Sequence, residues 1–217
     1  MSAEPVGPLK LASLLLQYPS PELGEAVATV DERDLRGLRR SRRGVAALLE
    51  WYAAAPLGEL CRIYTETFDF SKQRTLHLSY HVHGDRRQRG IALLRLKQAY
   101  EAAGLELSSG ELPDYLPLML EFADLVPAAG RELLSEHAVS IELVRASLRR
   151  DSNVYAGALD LVSEQLPGLS KRELTKLRRL AASGPPSEEV GLEPFAPPEV
   201  MGDGVEGTPL PLIGGRP

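Results

Sequence analysis

The chain has 217 residues, of which 43% are hydrophobic, 25% charged and 6% aromatic. This length suits one domain or two small ones, and the hydrophobic fraction is sufficient for a substantial core. The formal net charge of −5 resides entirely in residues 184–217, so the rest of the chain is neutral overall. A neutral body argues against general nucleic-acid binding, which requires a surplus of basic groups to displace counterions from phosphate.

Cysteine content and hydropathy indicate the compartment. Cys61 is the single cysteine and cannot close a disulfide within the chain, which favours a reducing environment. The apolar run at residues 11–16 is too short for a signal peptide and is followed by Gln17-Tyr18-Pro19. No apolar stretch approaches the roughly 18 residues that a membrane span needs. We therefore expect a soluble, cytoplasmic protein without an integral membrane segment.

The first half of the chain reads as consecutive helices, because Leu, Ala, Glu and Arg dominate and strand-like alternation is rare. Ser20-Pro21-Glu22 has the N-cap, the proline and the acid that are typical of a helix start. The helices predicted here are Leu9 to Gln17, a short one from Pro21, Val45 to Ala55, one opened by Pro56 with apolar positions to Phe68, and one capped by Ser71 that continues through Tyr80.

The second half continues the helical pattern after a break at His83-Gly84-Asp85. Asp85 and Gln88 are spaced as a capping box, although Asp85 could instead pair with a neighbouring arginine; we favour the cap. Ser170 and Glu173 have the same spacing. The helices predicted here run to Ala103 before Gly104, from Pro113 to Val126, from Pro127 to Arg150 as one long or two shorter helices, from Val154 to Leu166, and to Ala182.

The last 34 residues differ in composition from the rest. They contain eight of the 17 prolines, seven of the 19 glycines and six acids against one base. The segment also has few bulky apolar groups and cannot bury enough surface to offset its ordering entropy, so we expect it to be disordered. The predicted architecture is an all-α, single globular bundle-like domain over residues 9–182, followed by a disordered, acidic, Pro/Gly-rich tail over residues 183–217.

Motifs for catalysis are scarce. The sequence contains no phosphate-binding Gly-x-x-x-x-Gly-Lys-Ser/Thr run, no Gly-x-Gly-x-x-Gly and no Cys-x-x-Cys pair. We therefore predict that the protein is not an enzyme, that it has no catalytic residue and that it carries no cofactor. An alternative hypothesis is a metal-binding or sensor protein that uses His77 and His81, four residues apart on a helix, together with Cys61.

The stretch from Ser71 to Lys97 carries seven bases, one acid and three of the four histidines, interleaved with apolar residues. One interpretation is a solvated helix face beside an ordinary core. The other is a concave surface with an apolar floor and a basic rim that accepts an amphipathic or acidic peptide helix. RNA is a third option, which the low aromatic content disfavours.

Four runs of residues carry a resemblance to a known family. They are Glu66-Thr67-Phe68-Asp69-Phe70-Ser71, the block from His83-Gly84-Asp85 to Gly90, Ala92 to Tyr100, and Glu111-Leu112-Pro113-Asp114-Tyr115-Leu116. Together they resemble the delta subunit of respiratory nitrate reductase, the NarJ-type molybdenum-cofactor assembly chaperones within the wider TorD/DmsD-like redox-enzyme maturation family. The resemblance is densest over residues 60–125 and absent from the tail.

This resemblance implies an all-helical protein that is not part of the mature enzyme. It would bind the apo catalytic (alpha) subunit of nitrate reductase through that subunit's N-terminal segment, and hold it in the cytoplasm until the molybdenum cofactor is inserted and membrane docking proceeds. The proteins of cofactor synthesis are further candidate partners. The wider family often has histidine where this chain has Tyr115.

The resemblance, together with the predicted apolar floor, assigns fifteen residues to a client-binding region. They are Tyr64, Phe68, Phe70, Tyr80, His83, Gly84, Asp85, Arg86, Arg87, Arg89, Gly90, Glu111, Pro113, Asp114 and Tyr115.

Overall fold

The computed structural model describes residues 6–107, 110–184 and 186, and these form eleven α-helices. The helices are α1 (Pro8–Leu15), α2 (Pro21–Ala28), α3 (Arg42–Ala54), α4 (Leu57–Phe68), α5 (Leu78–His83), α6 (Arg87–Ala102), α7 (Leu116–Leu125), α8 (Pro127–Glu136), α9 (Ala138–Arg150), α10 (Ala156–Glu164) and α11 (Lys171–Ser183). No strand occurs within these ranges, so the predicted all-α class is confirmed. The predicted tail lies almost wholly outside the described residues.

Helix α1 occupies the centre of the domain. It packs against α7 and α10, while α10 also packs against α3 and α9. Leu11, Leu15 and Leu16 are completely buried in the main hydrophobic cluster, which draws on most of the helices. The Ser13 hydroxyl donates to the Pro117 carbonyl oxygen at 2.8 Å, which ties α1 to the start of α7. In the described part of the chain, no helix is both long and apolar enough to cross a membrane.

Several predicted helix ends are confirmed by their hydrogen bonds. The Ser20 hydroxyl accepts from the Leu23 amide at 3.1 Å, and Ser170 and Glu173 form both bonds of a capping box. Gly104 ends α6 with a φ of 76°, in the left-handed region that favours glycine. The stretch from Pro127 to Arg150 forms two helices, which break at His137.

Three predicted boundaries near the middle of the chain are wrong, two of them for a tertiary reason. Residues 72–74 form a turn, and α5 begins only at Leu78. Asp85 does not cap α6: its side chain is exposed, and it faces Arg89 at 3.9 Å. Helix α7 begins at Leu116 rather than Pro113, because residues 114–116 pair with residues 76–78 through backbone hydrogen bonds. At the starts of α5 and α7, pairing between distant segments overrides the local signals of Ser71 and Pro113.

Helices α3 and α10 cross at two glycines. A Cβ atom built on Gly157 would lie 2.3 Å from the backbone carbonyl carbon of Gly44, and one built on Gly44 would lie 2.8 Å from the Cα of Gly157. The neighbouring atoms belong to backbone and cannot rotate away. The two helices can therefore approach this closely only without side chains at both positions.

Substituting either crossing glycine should destabilise the protein. Gly157→Ala is expected to lower the free energy of unfolding by about 1–3 kcal/mol, because α10 must move away from α3. Gly24→Ala is the matched control: it lies within α2, where an added Cβ would meet no described atom within 4 Å, so it should raise stability by about 0.5–1 kcal/mol. Urea unfolding of both variants tests this, and equal effects would contradict the close crossing.

His81 is a buried histidine in α5. Its Nε2 lies 2.9 Å from the Thr75 carbonyl oxygen, and its Nδ1 is buried with no hydrogen-bond partner among the described residues. Burial lowers the pKa of His81 to about 4, and the bond to Thr75 and the nearby charge of Asp114 oppose this only in part. The imidazole is therefore neutral at physiological pH.

The buried neutral imidazole should make stability depend on pH. Between pH 6.5 and 4 the unfolded chain binds a proton at His81 that the folded chain does not, so stability falls as the pH falls through this window. From pH 7.5 to 4.5 we expect a loss of about 2–3 kcal/mol attributable to this residue. His81→Gln should flatten the profile of urea unfolding over this range; an unchanged slope would contradict the assignment.

Candidate functional site

Two distant segments are joined beneath the surface by a pair of backbone hydrogen bonds. The Leu78 amide donates to the Asp114 carbonyl oxygen at 3.0 Å, and the Leu116 amide donates to the Leu76 carbonyl oxygen at 2.9 Å. This antiparallel bridge places His77 opposite Tyr115, with ring centres 5.4 Å apart. The segment that follows the Phe-Asp-Phe-Ser motif is thereby joined to the end of the Glu-x-Pro-Asp-Tyr motif.

The side chain of Asp114 holds this junction together. It is completely buried, and its carboxylate accepts from the Ser79 hydroxyl at 2.5 Å, from the Ser79 amide at 3.2 Å and from His77 Nδ1 at 3.2 Å. Arg89 Nη2 lies 3.6 Å away. Burial by itself would raise the pKa of Asp114, but the bonds from His77 and Ser79 and the charge of Arg89 outweigh it and hold the pKa below its ordinary value. The carboxylate is a charged structural anchor.

A basic pocket of about 230 Å³ lies on the His77 side of the junction. Its lining residues are Asp69, Ser71, Lys72, Thr75, His77, Tyr80 and Arg89. The Arg89 guanidinium carbon lies 5.5 Å from the centre of the Tyr80 ring, which is cation–π distance. Phe70, which stands in the sequence between the lining residues Asp69 and Ser71, is 81% exposed. This pocket combines positive charge, hydroxyl groups and the aromatic ring of Tyr80.

A second pocket, of about 290 Å³, lies on the Tyr115 side. Its lining residues are Gln17, Tyr18, Glu111, Tyr115, Pro117, Leu118 and Glu121. Leu118 and Glu121 also line a further pocket of about 250 Å³, together with Tyr100, Leu105, Glu106, Leu107, Phe122 and Leu125. The two spaces therefore adjoin as one groove along α7, with apolar walls and acidic groups at its edge.

Tyr115 is held in place by other polar groups. Its hydroxyl lies 2.9 Å from the Tyr64 hydroxyl, which itself donates to the Leu16 carbonyl oxygen at 3.0 Å. Burial raises the pKa of Tyr115 to about 12, so the phenol is neutral and can donate or accept a hydrogen bond. The hydroxyl group is thus part of a small network between α1, α4 and α7.

The fifteen predicted residues fall into three groups in the structure. Tyr80 and Arg89 line the basic pocket, and Glu111 and Tyr115 line the α7 groove. Phe70 belongs with them as an exposed residue next in sequence to two lining residues of the basic pocket. A second group is buried and offers no surface to a ligand: Tyr64, Phe68, Gly84, Pro113 and Asp114. The third group lies at the end of α5, on the turn before α6 and in the first residues of α6: His83, Asp85, Arg86, Arg87 and Gly90.

Two of the predicted client-binding residues, Tyr64 and Phe68, are part of the core. Tyr64 and Phe68 have ring centres 4.8 Å apart, and Phe68 lies 5.0 Å from the completely buried Tyr155. These rings support the surface from beneath. The residues that line it and that sequence reasoning missed include Tyr18, Lys72, Leu118 and Glu121. The helix break at Gln17-Tyr18-Pro19 is visible in the sequence, but its proximity to Tyr115 is not.

The alternative of a metal site finds no support in this geometry. Among the residues that the structure describes, no three His, Cys, Asp or Glu side chains lie where they could hold one ion. His77 precedes α5 and bonds to Asp114, whereas His81 points to the Thr75 carbonyl oxygen. Cys61 is half-buried, with its sulfur 3.5 Å from the Pro19 carbonyl oxygen.

A known protein family matches a large part of this chain. The model of the nitrate reductase delta subunit family matches residues 35–160, more than half of the chain. The chain belongs to this family. The predicted resemblance is therefore confirmed. The matched residues of this chain include both His77 and Tyr115, which face each other at the junction.

The names of individual relatives agree with this family assignment. A Bacillus subtilis protein named as a probable nitrate reductase molybdenum cofactor assembly chaperone, NarJ, is 34% identical over 166 residues, covering 74% of this chain and 89% of its own. The Escherichia coli K12 nitrate reductase molybdenum cofactor assembly chaperone NarJ is 34% identical over 165 residues, 71% of this chain and 67% of its own. In the Mycobacterium tuberculosis H37Rv nitrate reductase-like protein NarX, the match is 39% identical but spans 22% of that protein.

The Asp114 anchor gives a direct test of the junction. Asp114→Asn keeps the side-chain shape but removes the charge facing Arg89 and His77, so we expect the free energy of unfolding to fall by about 2–4 kcal/mol. Asp85→Asn is the matched control, because this exposed acid also faces Arg89, and its loss should change stability by at most about 0.5 kcal/mol. Urea unfolding at neutral pH distinguishes the two; similar losses would refute the anchor.

Proposed function

We propose that this chain is an assembly chaperone for respiratory nitrate reductase. It binds the cofactor-free catalytic subunit through that subunit's N-terminal segment and holds it for insertion of the molybdenum cofactor before membrane docking. Family membership and the names of the relatives support the chaperone role. Those relatives are named as assembly chaperones rather than as catalytic subunits.

The observation that carries the peptide-binding part of the proposal is the pair of surfaces that meet at His77 and Tyr115. One is basic, through Lys72 and Arg89; the other is apolar with an acidic edge. A peptide helix bound across such a surface can bury apolar side chains and pair both its acids and its bases. A small-molecule substrate would not require complementary groups spread over two adjoining pockets.

The charges and the apolar groups have different roles in this proposal. Tyr18 and Leu118 supply the apolar contacts of the groove, which give most of the binding free energy. Lys72 on one side and Glu111 with Glu121 on the other fix the direction of the bound segment and raise its association rate. The buried Asp114 does not touch the client but positions His77 and Arg89.

A peptide titration tests the surface. We expect a synthetic peptide of the catalytic subunit's N-terminal segment to bind saturably, and the double variant Tyr18→Ala/Lys72→Glu to weaken it by about 10–100-fold, because it removes one apolar and one charged contact. Isothermal titration calorimetry gives the dissociation constants. Raising the salt concentration should weaken the charged contribution.

The matched control is Leu174→Ala/Lys171→Glu on α11, which alters a partly exposed leucine and an exposed lysine away from the junction in the same way. It should bind the peptide as the unaltered protein does. Pull-down of the full catalytic subunit in its cofactor-free and cofactor-loaded forms tests the holding role. Preference for the loaded form, or equal weakening by both double variants, would refute the proposal.

A further inference from the structure

Helix α6 presents an outer face that the rest of the described chain leaves open. Only Leu96 and Tyr100 of its 16 residues are buried, and its main helical neighbour is the short α5. Ile91 and Leu94 are 52% and 56% exposed, respectively, and lie one turn apart. Ile91 and Leu94 therefore form a small exposed apolar pair on this face of α6.

Two bases flank these apolar residues on the same face. Arg87 is one turn before Ile91, and Arg95 follows Leu94; both are exposed, and neither forms an ion pair with a described residue. Lys97, on another face, is paired with Glu101. We call Arg87, Ile91, Leu94 and Arg95 the α6 stripe. Its chemistry suits an occupant that carries acids and bulky apolar groups close together.

The end of the described chain arrives at one end of the α6 stripe. The carbonyl oxygen of Pro186 lies against Gly84, so closely that a Cβ atom on Gly84 would be 1.8 Å from it. Gly84 has a φ of 58° and immediately precedes the turn into α6, whose first residue is Arg87. The chain therefore leaves the described region next to the first base of the stripe.

The residues that follow have the composition that the α6 stripe requires. Residues 187–196 contain three acids, Glu188, Glu189 and Glu193, and three bulky apolar residues, Val190, Leu192 and Phe195, with no base. Helix α6 is about 24 Å long, and ten extended residues reach about 33 Å. The segment is therefore long enough to reach every part of the stripe from Pro186.

We propose that residues 187–196 dock intramolecularly on the α6 stripe. Val190, Leu192 and Phe195 cover Ile91 and Leu94, and the three glutamates pair with Arg87 and Arg95. The short tether makes the docking unimolecular, at an effective concentration of the order of millimolar, so modest contacts suffice to populate it. The segment shields the apolar groups that α6 would otherwise expose. This inference does not depend on the proposed function.

Photo-crosslinking within the full-length chain tests the docking. A benzophenone amino acid is incorporated at position 195 in place of Phe195, and the products of irradiation are mapped by mass spectrometry. We expect cross-links within one molecule to residues 87–98. Their yield should fall about 3–10-fold in Arg87→Glu/Arg95→Glu, and also at about 0.5 M salt, where charges are strongly screened.

The matched control is Arg39→Glu/Arg43→Glu, which reverses two exposed bases before and within α3 and should leave the yield unchanged. A second variant avoids altering the folded domain: Glu188→Gln/Glu189→Gln/Glu193→Gln should reduce the yield as the α6 reversal does. Cross-links spread evenly over the surface, or equal losses in the control, would overturn the proposal. Cross-links between isotopically distinct molecules would also overturn it, because they would identify a second copy as the occupant.

Discussion

The buried carboxylate of Asp114 is the constraint on which the functional surface depends. It lies where α5, α6 and the approach to α7 meet, and it is bonded to Ser79 and His77 and faced by Arg89. A charge without solvent is tolerable only when it is fully paired, so each partner is held in a defined position. That requirement places His77 against Tyr115 and joins segments nearly forty residues apart.

The two pockets follow from this junction and from the packing beneath it. Tyr64 and Phe68, together with Tyr155, form a buried aromatic layer, and the Tyr64 hydroxyl is hydrogen-bonded to that of Tyr115. The surface above rests on these packed side chains, which would lower the entropic cost of binding the proposed peptide segment. Basic groups on one side and acidic groups on the other make the surface directional. These features suit a protein whose work is binding.

Local signals predicted the helices well wherever neighbouring residues decide the outcome. The caps at Ser20 and Ser170 and the stop at Gly104 are confirmed because each depends on residues within one turn. The predicted capping box at Asp85 is wrong: Arg86 is the N-cap residue of α6, and the exposed Asp85 faces Arg89 instead. The helix predicted from Ser71 is also wrong, since residues 76–78 give their backbone hydrogen bonds to residues 114–116.

The sequence by itself determined the all-α class, the neutral body with an acidic tail, and the family through its dense motifs, because these depend on composition and local order. Only the tertiary structure decided which motif residues reach the surface. Phe68 and Asp114 are buried, whereas Phe70 is exposed and Tyr115 lines the α7 groove, although all four belong to the same two motifs. Burial is set by packing between distant segments, and the spacing of residues along one segment does not determine that packing.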